Sequence, residues 1–157
     1  MNKIFIASDH AGFILKSEIC ATDWTDLGTN STASVDYPDF AHNLCKKIIE
    51  NKGALGVLIC GSGVGMSIAA NKHPGIRAAL VTNTETARLA REHNHANVLC
   101  LAARSSETPV SANQAKLIID AWLAAKPSQD ERHLRRIQKL ENTSCLTQTQ
   151  SPQSSRQ

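Results

Sequence analysis

The 157-residue chain is most informative in what it lacks. No apolar run approaches the 18 or more residues a membrane span requires, and "MNKIFIASDHAG" meets Asp9 too soon for a secretory leader. A cytoplasmic protein is expected. There is no C-x-x-C pair, and the five cysteines (Cys20, Cys45, Cys60, Cys100, Cys145) are odd in number, so neither a disulfide framework nor a zinc knuckle is indicated. Free thiols are expected. A broad basic face is also missing. Residues 1–125 carry 11 Lys+Arg against 11 Asp+Glu, and residues 126–157 carry 6 against 3, so the whole excess of +3 is C-terminal. That distribution argues against nucleic acid and suits a small anion.

What is present suits one globular domain. At this length a chain buries roughly 68–70% of its unfolded surface, enough for a core without staples. "KIFIA" (3–7) reads as a short strand and "GFILKSEICA" as a helix with Phe13, Ile14 and Ile19 on one face. "DWTDLG" (23–28) is a weak strand candidate. A polar loop through Tyr37 and Pro38 leads to Asp39, read as the cap of a helix with Phe40, Leu44, Cys45, Ile48 and Ile49 at helical spacing. "ALGVLIC", "GIRAALV" and "NVLCLA" are further strands, separated by "VGMSIAANK" and the capped helix "NTETARLAREHN". Pro109 opens a helix into "VSANQAKLIIDAWLAA". The alternation predicts an α/β, doubly wound five-stranded parallel sheet with helices on both faces. After Pro127, "SQDERHLRRIQKLE" is a charged helix with only Leu134, Ile137 and Leu140 to bury. The domain is placed at 1–140. In 141–157, 12 of 17 residues are Ser, Thr, Asn or Gln, and this tail is expected to be disordered.

The segment "CGSGVGMS" (60–67) invites a dinucleotide reading, which fails on its residues. The sixth position of G-x-G-x-x-G is Met66, Val81 and Thr82 stand where the ribose-binding acid belongs, and no G-K-[ST] closes a P-loop. What remains is a strand end, a run of backbone amides and a helix start, a nest for negative charge. Cys60 sits at its mouth, where a helix N-terminus favours the thiolate. As a residue type alone, a lone cysteine is more often a small packing side chain. Asp9 and His10 end the first strand at the same edge. "HNH" (93–95) offers a metal pair or a solvated helix end.

Together, "SDHAG" (8–12), "DYPDFA" (36–41), "CGSGVGMSIAANK" (60–72), "GIRAALV", "REHNHANVL" and "ERHLRR" resemble, in order and spacing over residues 3–140, the ribose/galactose isomerase family, and within it the type B ribose-5-phosphate isomerases. The resemblance implies a Rossmann-like fold and interconversion of D-ribose 5-phosphate and D-ribulose 5-phosphate, a step of the non-oxidative pentose phosphate pathway. It further implies a cis-enediolate with no metal or nucleotide cofactor. It assigns Cys60 as the base, Ser62 as a proton shuttle between the two oxygens, and His93 as the ring-opening acid with Asp9 as partner carboxylate. Gly61, Ser62, Gly63, Val64 and Gly65 would supply the anion hole, and Tyr37 and Asn94 would contact the sugar. Phosphate falls to His10, Arg104, Arg132 and Arg136. The resemblance implies a homodimer, or a tetramer built from it, whose C-terminal helix packs on a partner subunit and sends Arg132 and Arg136 into the neighbouring site.

Two departures stand out. The stretch from Glu18 to Gly28 is shorter than in the family, which clips the first helix or the second strand. Met66 replaces the glutamate base of another branch, leaving Cys60 alone in that role. His95 has no implied function. The rivals are an isomerase of six-carbon sugar phosphates (allose or galactose 6-phosphate) and a non-catalytic module that binds a phosphometabolite and uses Cys60 only for packing.

Overall fold

The computed structural model describes residues 2–104 and 110–142. Fully apolar runs become the central strands, because a strand covered on both faces has no polar side to show. Five strands pair in parallel in the order β2-β1-β3-β5-β4: β1 (Ile4–Ser8), β2 (Thr25–Asp26), β3 (Leu55–Cys60), β4 (Ala78–Leu80) and β5 (Val98–Ala102). Among the described residues six helices connect or follow them: α1 (Phe13–Ile19), α2 (Tyr37–Glu50), α3 (Val64–Ala70), α4 (Thr84–Asn94), α5 (Ala112–Ala124) and α6 (Glu131–Glu141). The doubly wound expectation holds.

Strand alternation divides the core into two layers. Phe5, Ala7, Leu58, Cys60, Val98 and Cys100 face α2 and α3. Ile6, Val57, Ile59, Leu99 and Leu101 face the opposite way, with Leu15 of α1, Ala87 of α4 and Trp122 of α5. The chain winds from β1 to β2 on one side and then crosses to β3 on the other. The strand order therefore reverses between β1 and β3, the crevice where open α/β sheets bind ligands.

Several local readings need correction. Helix α2 begins at Tyr37, with Asp36 at the N-cap position and Pro38 in the first turn, where its missing N–H costs nothing; Asp39 is a first-turn acid, not the cap. On α1 the buried face is Leu15, Lys16 and Ile19, while Ile14 is 59% exposed. Ile49 likewise faces out of α2. Helix α5 is capped by Ser111, whose hydroxyl accepts from the Gln114 amide at 3.3 Å; Pro109 lies outside the described residues. The short Glu18–Gly28 connection leaves α1 at seven residues and β2 at two. Helix α6 buries His133, with Leu134 and Ile137 half-buried and Leu140 exposed. It runs to Glu141, one residue past the expected boundary, and residues 143–157, Cys145 among them, lie outside the described residues.

Candidate active site

Cys60 is the last residue of β3 and is 4% exposed. Its Sγ accepts a hydrogen bond from the Gly63 amide at 3.1 Å, which folds the loop back over the sulfur. Gly63 takes φ +72° as the N-cap of α3, a conformation that favours glycine. A Cβ there would stand 2.5 Å from Leu80 Cδ1 and 3.1 Å from the Leu101 carbonyl. The loop is thus glycine for two separate reasons, one of backbone and one of space. Ser62 Oγ accepts from the Val64 amide at 3.3 Å. A Cβ on Gly65 would lie 2.6 Å from Cζ of Tyr37, so the tyrosine ring rests directly on that backbone.

The end of β1 meets this loop. The Asp9 amide donates to the Ile59 carbonyl at 3.2 Å, and its buried carboxylate accepts from the Gly12 amide at 3.0 Å. His10 Nδ1 accepts from the Val35 amide at 3.3 Å, which puts the ring proton on Nε2, a donor with no partner among the described residues. Arg104 follows β5 at the same edge, its amide donating to the Gly61 carbonyl at 2.8 Å and its side chain exposed. Cys60, Asp9, His10 and Arg104 thus stand at one edge of the sheet, beside the row of loop amides.

The remaining predicted residues lie elsewhere. Helix α4 leaves the carboxyl end of β4 and must return to the opposite edge for β5 to start parallel. His93 and Asn94, at its last turn, therefore sit beside the strand starts, near Asn97, whose carbonyl accepts from Gly56 at the head of β3. The Asn94 carbonyl accepts from Arg77 Nε at 3.0 Å. The ring of His93 stacks on His133 of α6, with centroids 4.2 Å apart and planes 6° from parallel. Arg132 and Arg136 project from the same helix, both exposed. Within one chain, His93 cannot touch Asp9 or Cys60. A cavity of about 550 Å³ at this second edge is lined by His73, Arg77, Asn94, Leu140 and Glu141 among others, and includes none of the Cys60 cluster.

His95 closes α4 with φ +50°, and its Nε2 lies 2.8 Å from the Ser128 carbonyl, so it ties α4 to the approach of α6. His133 is the residue that sequence reasoning passed over. It is 6% exposed in a helix otherwise rich in charge, and burial, then His93, then Arg132 push its pKa below the ordinary imidazole range. Among the described residues no group of three or more His, Cys, Asp and Glu could hold a metal ion, and no helix is long and apolar enough to cross a membrane. The four described cysteines are free.

Known proteins resemble this arrangement over nearly its full length. A family model described as Ribose/Galactose Isomerase matches residues 4–140. Ribose-5-phosphate isomerase B of Escherichia coli is 41% identical over 146 residues, covering 89% of this chain and 95% of its own. The structure of a ribose 5-phosphate isomerase from Thermotoga maritima is similar with a TM-score of 0.82 at 45% identity, covering 89% of this chain and 97% of that one. Ribose-5-phosphate isomerase B from Mycoplasma genitalium with bound ribulose-5-phosphate has a TM-score of 0.83 at 44% identity, covering 92% and 97%.

Proposed function

Since the chain belongs to the ribose/galactose isomerase family, we propose that it interconverts D-ribose 5-phosphate and D-ribulose 5-phosphate at a site built from two copies of itself. The observation that carries this reading is the unit of Cys60 and its glycine loop at the sheet's switch point, a proton acceptor beside a row of amides. It needs a second copy to supply the groups on the far edge.

The surface beside the loop suits such a copy. Val64 and Ile68 lie one turn apart on α3, and Leu80 lies on the edge strand β4; all three are exposed. An apolar edge left open invites pairing or aggregation unless something covers it. A two-fold axis through this edge would set the strand ends of one copy against the strand starts of its partner. Cys60, Asp9, Ser62 and Tyr37 of one subunit would then face His93, Asn94, Arg132 and Arg136 of the other.

The chemistry follows from those positions. His93 donates a proton to the furanose oxygen as the C1–O4 bond breaks, and the Asp9 carboxylate takes the proton from the anomeric hydroxyl, leaving an open aldehyde. The Cys60 thiolate then removes the C2 proton. The C2–H pair forms the C1–C2 double bond as the carbonyl pair moves onto O1. Amides of the 61–65 loop not already engaged hold the resulting oxyanion, since the Gly63 N–H is donated to Cys60 Sγ and the Val64 N–H to Ser62 Oγ. Donors aimed at charge that exists only along the reaction lower its barrier by about 3 kcal/mol. Ser62 transfers the proton from O2 to O1, and Cys60, whose thiol proton exchanges with solvent while the enediolate is held, delivers a proton to C1, yielding the ketone. The C5 phosphate is held by His10, Arg104, Arg132 and Arg136, where guanidinium forks suit its oxygens. Phosphate is thereby kept away from the glycine loop.

Incubation with ribose 5-phosphate in D₂O, followed by NMR at C1 and C2, tests the reading. The wild type should form ribulose 5-phosphate carrying deuterium, and Cys60→Ala should lose on the order of 10²- to 10⁴-fold in rate. No turnover by the wild type would sink the assigned reaction. Undiminished turnover by Cys60→Ala would sink the assigned base.

A further inference from the structure

An eleven-residue helix rich in charge would ordinarily be anchored by leucine or isoleucine, yet the only buried residue of α6 is His133. Both ends of α6 are tied independently of it. Before the helix, the Ser128 amide donates to the Glu92 carbonyl at 2.9 Å, and His95 Nε2 lies 2.8 Å from the Ser128 carbonyl. At its end, Glu141 pairs with Arg77 and accepts from the Gly75 amide at 3.3 Å. Contacts that do not involve position 133 thus tie the approach of the helix to α4 and its end to Arg77 and Gly75. What an aromatic ring adds there is a flat face, laid 4.2 Å from His93 and 6° from parallel to it.

We propose that His133 is a positioning residue: its imidazole plane sets the orientation of the His93 ring and joins that acid to Arg132 and Arg136 as one rigid arm. The proposal rests on the isomerase reading above. Arg132 precedes His133 and Arg136 follows it by one turn, so the helix that carries the two guanidinium groups also carries the plate on which the His93 ring lies. Three groups that must meet one substrate, two at its phosphate and one at its ring oxygen, thus move together. A general acid must meet its acceptor within hydrogen-bond reach, and an error of about 1 Å costs on the order of 10²-fold. The burial that disfavours a proton on His133 also keeps a second positive charge from the face of His93.

His133→Leu and His133→Phe in the full-length protein separate stacking from packing, since both are apolar but only phenylalanine is flat. Two rates are measured with a melting curve for each variant: net isomerisation of ribose 5-phosphate, which requires ring opening, and deuterium wash-in at C1 of ribulose 5-phosphate, which does not because that ketose is acyclic. His133→Leu should lower isomerisation at least about tenfold and leave wash-in within about twofold, and His133→Phe should restore isomerisation to within about threefold. If His133→Leu does not fold, His133→Gln replaces it with the same expectations. Wild-type isomerisation by His133→Leu, wash-in that falls in step with isomerisation, or His133→Phe at less than about a tenth of wild-type turnover would each overturn the positioning role. An inactive wild type would instead remove the isomerase reading and this proposal together.

Discussion

The Gly63 amide donates to Cys60 Sγ at 3.1 Å, so the strand's last side chain and the loop's left-handed glycine form one unit. Neither is free to change alone. Gly63→Ala places a methyl group at φ +72°, against Leu80 Cδ1 and the Leu101 carbonyl. The conformation costs about 1–2 kcal/mol and the overlap about as much again, so the midpoint of denaturant unfolding should fall clearly. Activity should fall further than stability, because the amide that orients the sulfur moves with the loop. Gly61→Ala is the control: its nearest neighbour would be Ala11 Cβ at 3.7 Å, and folding should be nearly unchanged. Equal unfolding midpoints for the two variants would show that the left-handed turn is not required.

Much of this was legible in the chain because apolar runs bounded by turn residues leave little choice between strand and loop. "ALGVLIC" and "NVLCLA" became β3 and β5 almost as written. "DWTDLG" was only a weak strand candidate because nothing alternates in it, and β2 is indeed two exposed residues. The site's residue types were visible in motifs, but motifs do not state which edge of the sheet each one occupies. Following the chain along β4 and back through α4 is what puts His93 opposite Cys60. His133 was hidden for a different reason. Its partner lies 40 positions upstream, and a histidine between arginines in a polar helix reads as solvated until the stack is seen.

The short β2 is held by Lys16, whose side chain is 1% exposed and pairs with Asp26 at 38%. Removing one partner of a buried pair strands the other charge. Asp26→Ala should therefore destabilise by about 2 kcal/mol, below the usual 3–5 for a wholly buried pair because Asp26 is partly solvated. Lys16→Met, which removes the buried charge and keeps the volume, should cost less than Asp26→Ala. Chemical denaturation of both variants checks the order, and the reverse ranking would show that the amine is well solvated without its partner.

The separation of Cys60 from His93 within one chain makes a quantitative prediction about mixed subunits. Cys60→Ala and His93→Asn are each expected to be inactive. Unfolded together and refolded, about half of the dimers are mixed, and each of these has one site with both wild-type groups and one with neither. About a quarter of wild-type activity should return. Confirmed mixed dimers without activity would place both groups in one subunit's site.

Acid should loosen the fold before carboxylates are protonated. His42 Nδ1 lies 2.7 Å from His73 Nε2, a contact that requires one ring to accept and joins α2 to the turn after α3. Burial, then His42, then Lys46 lower the pKa of His73, and burial, then His93, then Arg132 lower that of His133. In the unfolded chain both imidazoles take up protons near pH 6.5. As pH falls through that value the unfolded state binds protons that the folded state still refuses, so the folded state loses stability. The stability is fully present above about pH 7 and is lost as pH drops toward the lowered values of the folded protein. Calorimetric melting temperatures at pH 8, 7, 6 and 5 should decline over the last two steps, and the decline should flatten in the double variant His73→Gln, His133→Phe. An equal decline in wild type and double variant would assign the loss to other groups.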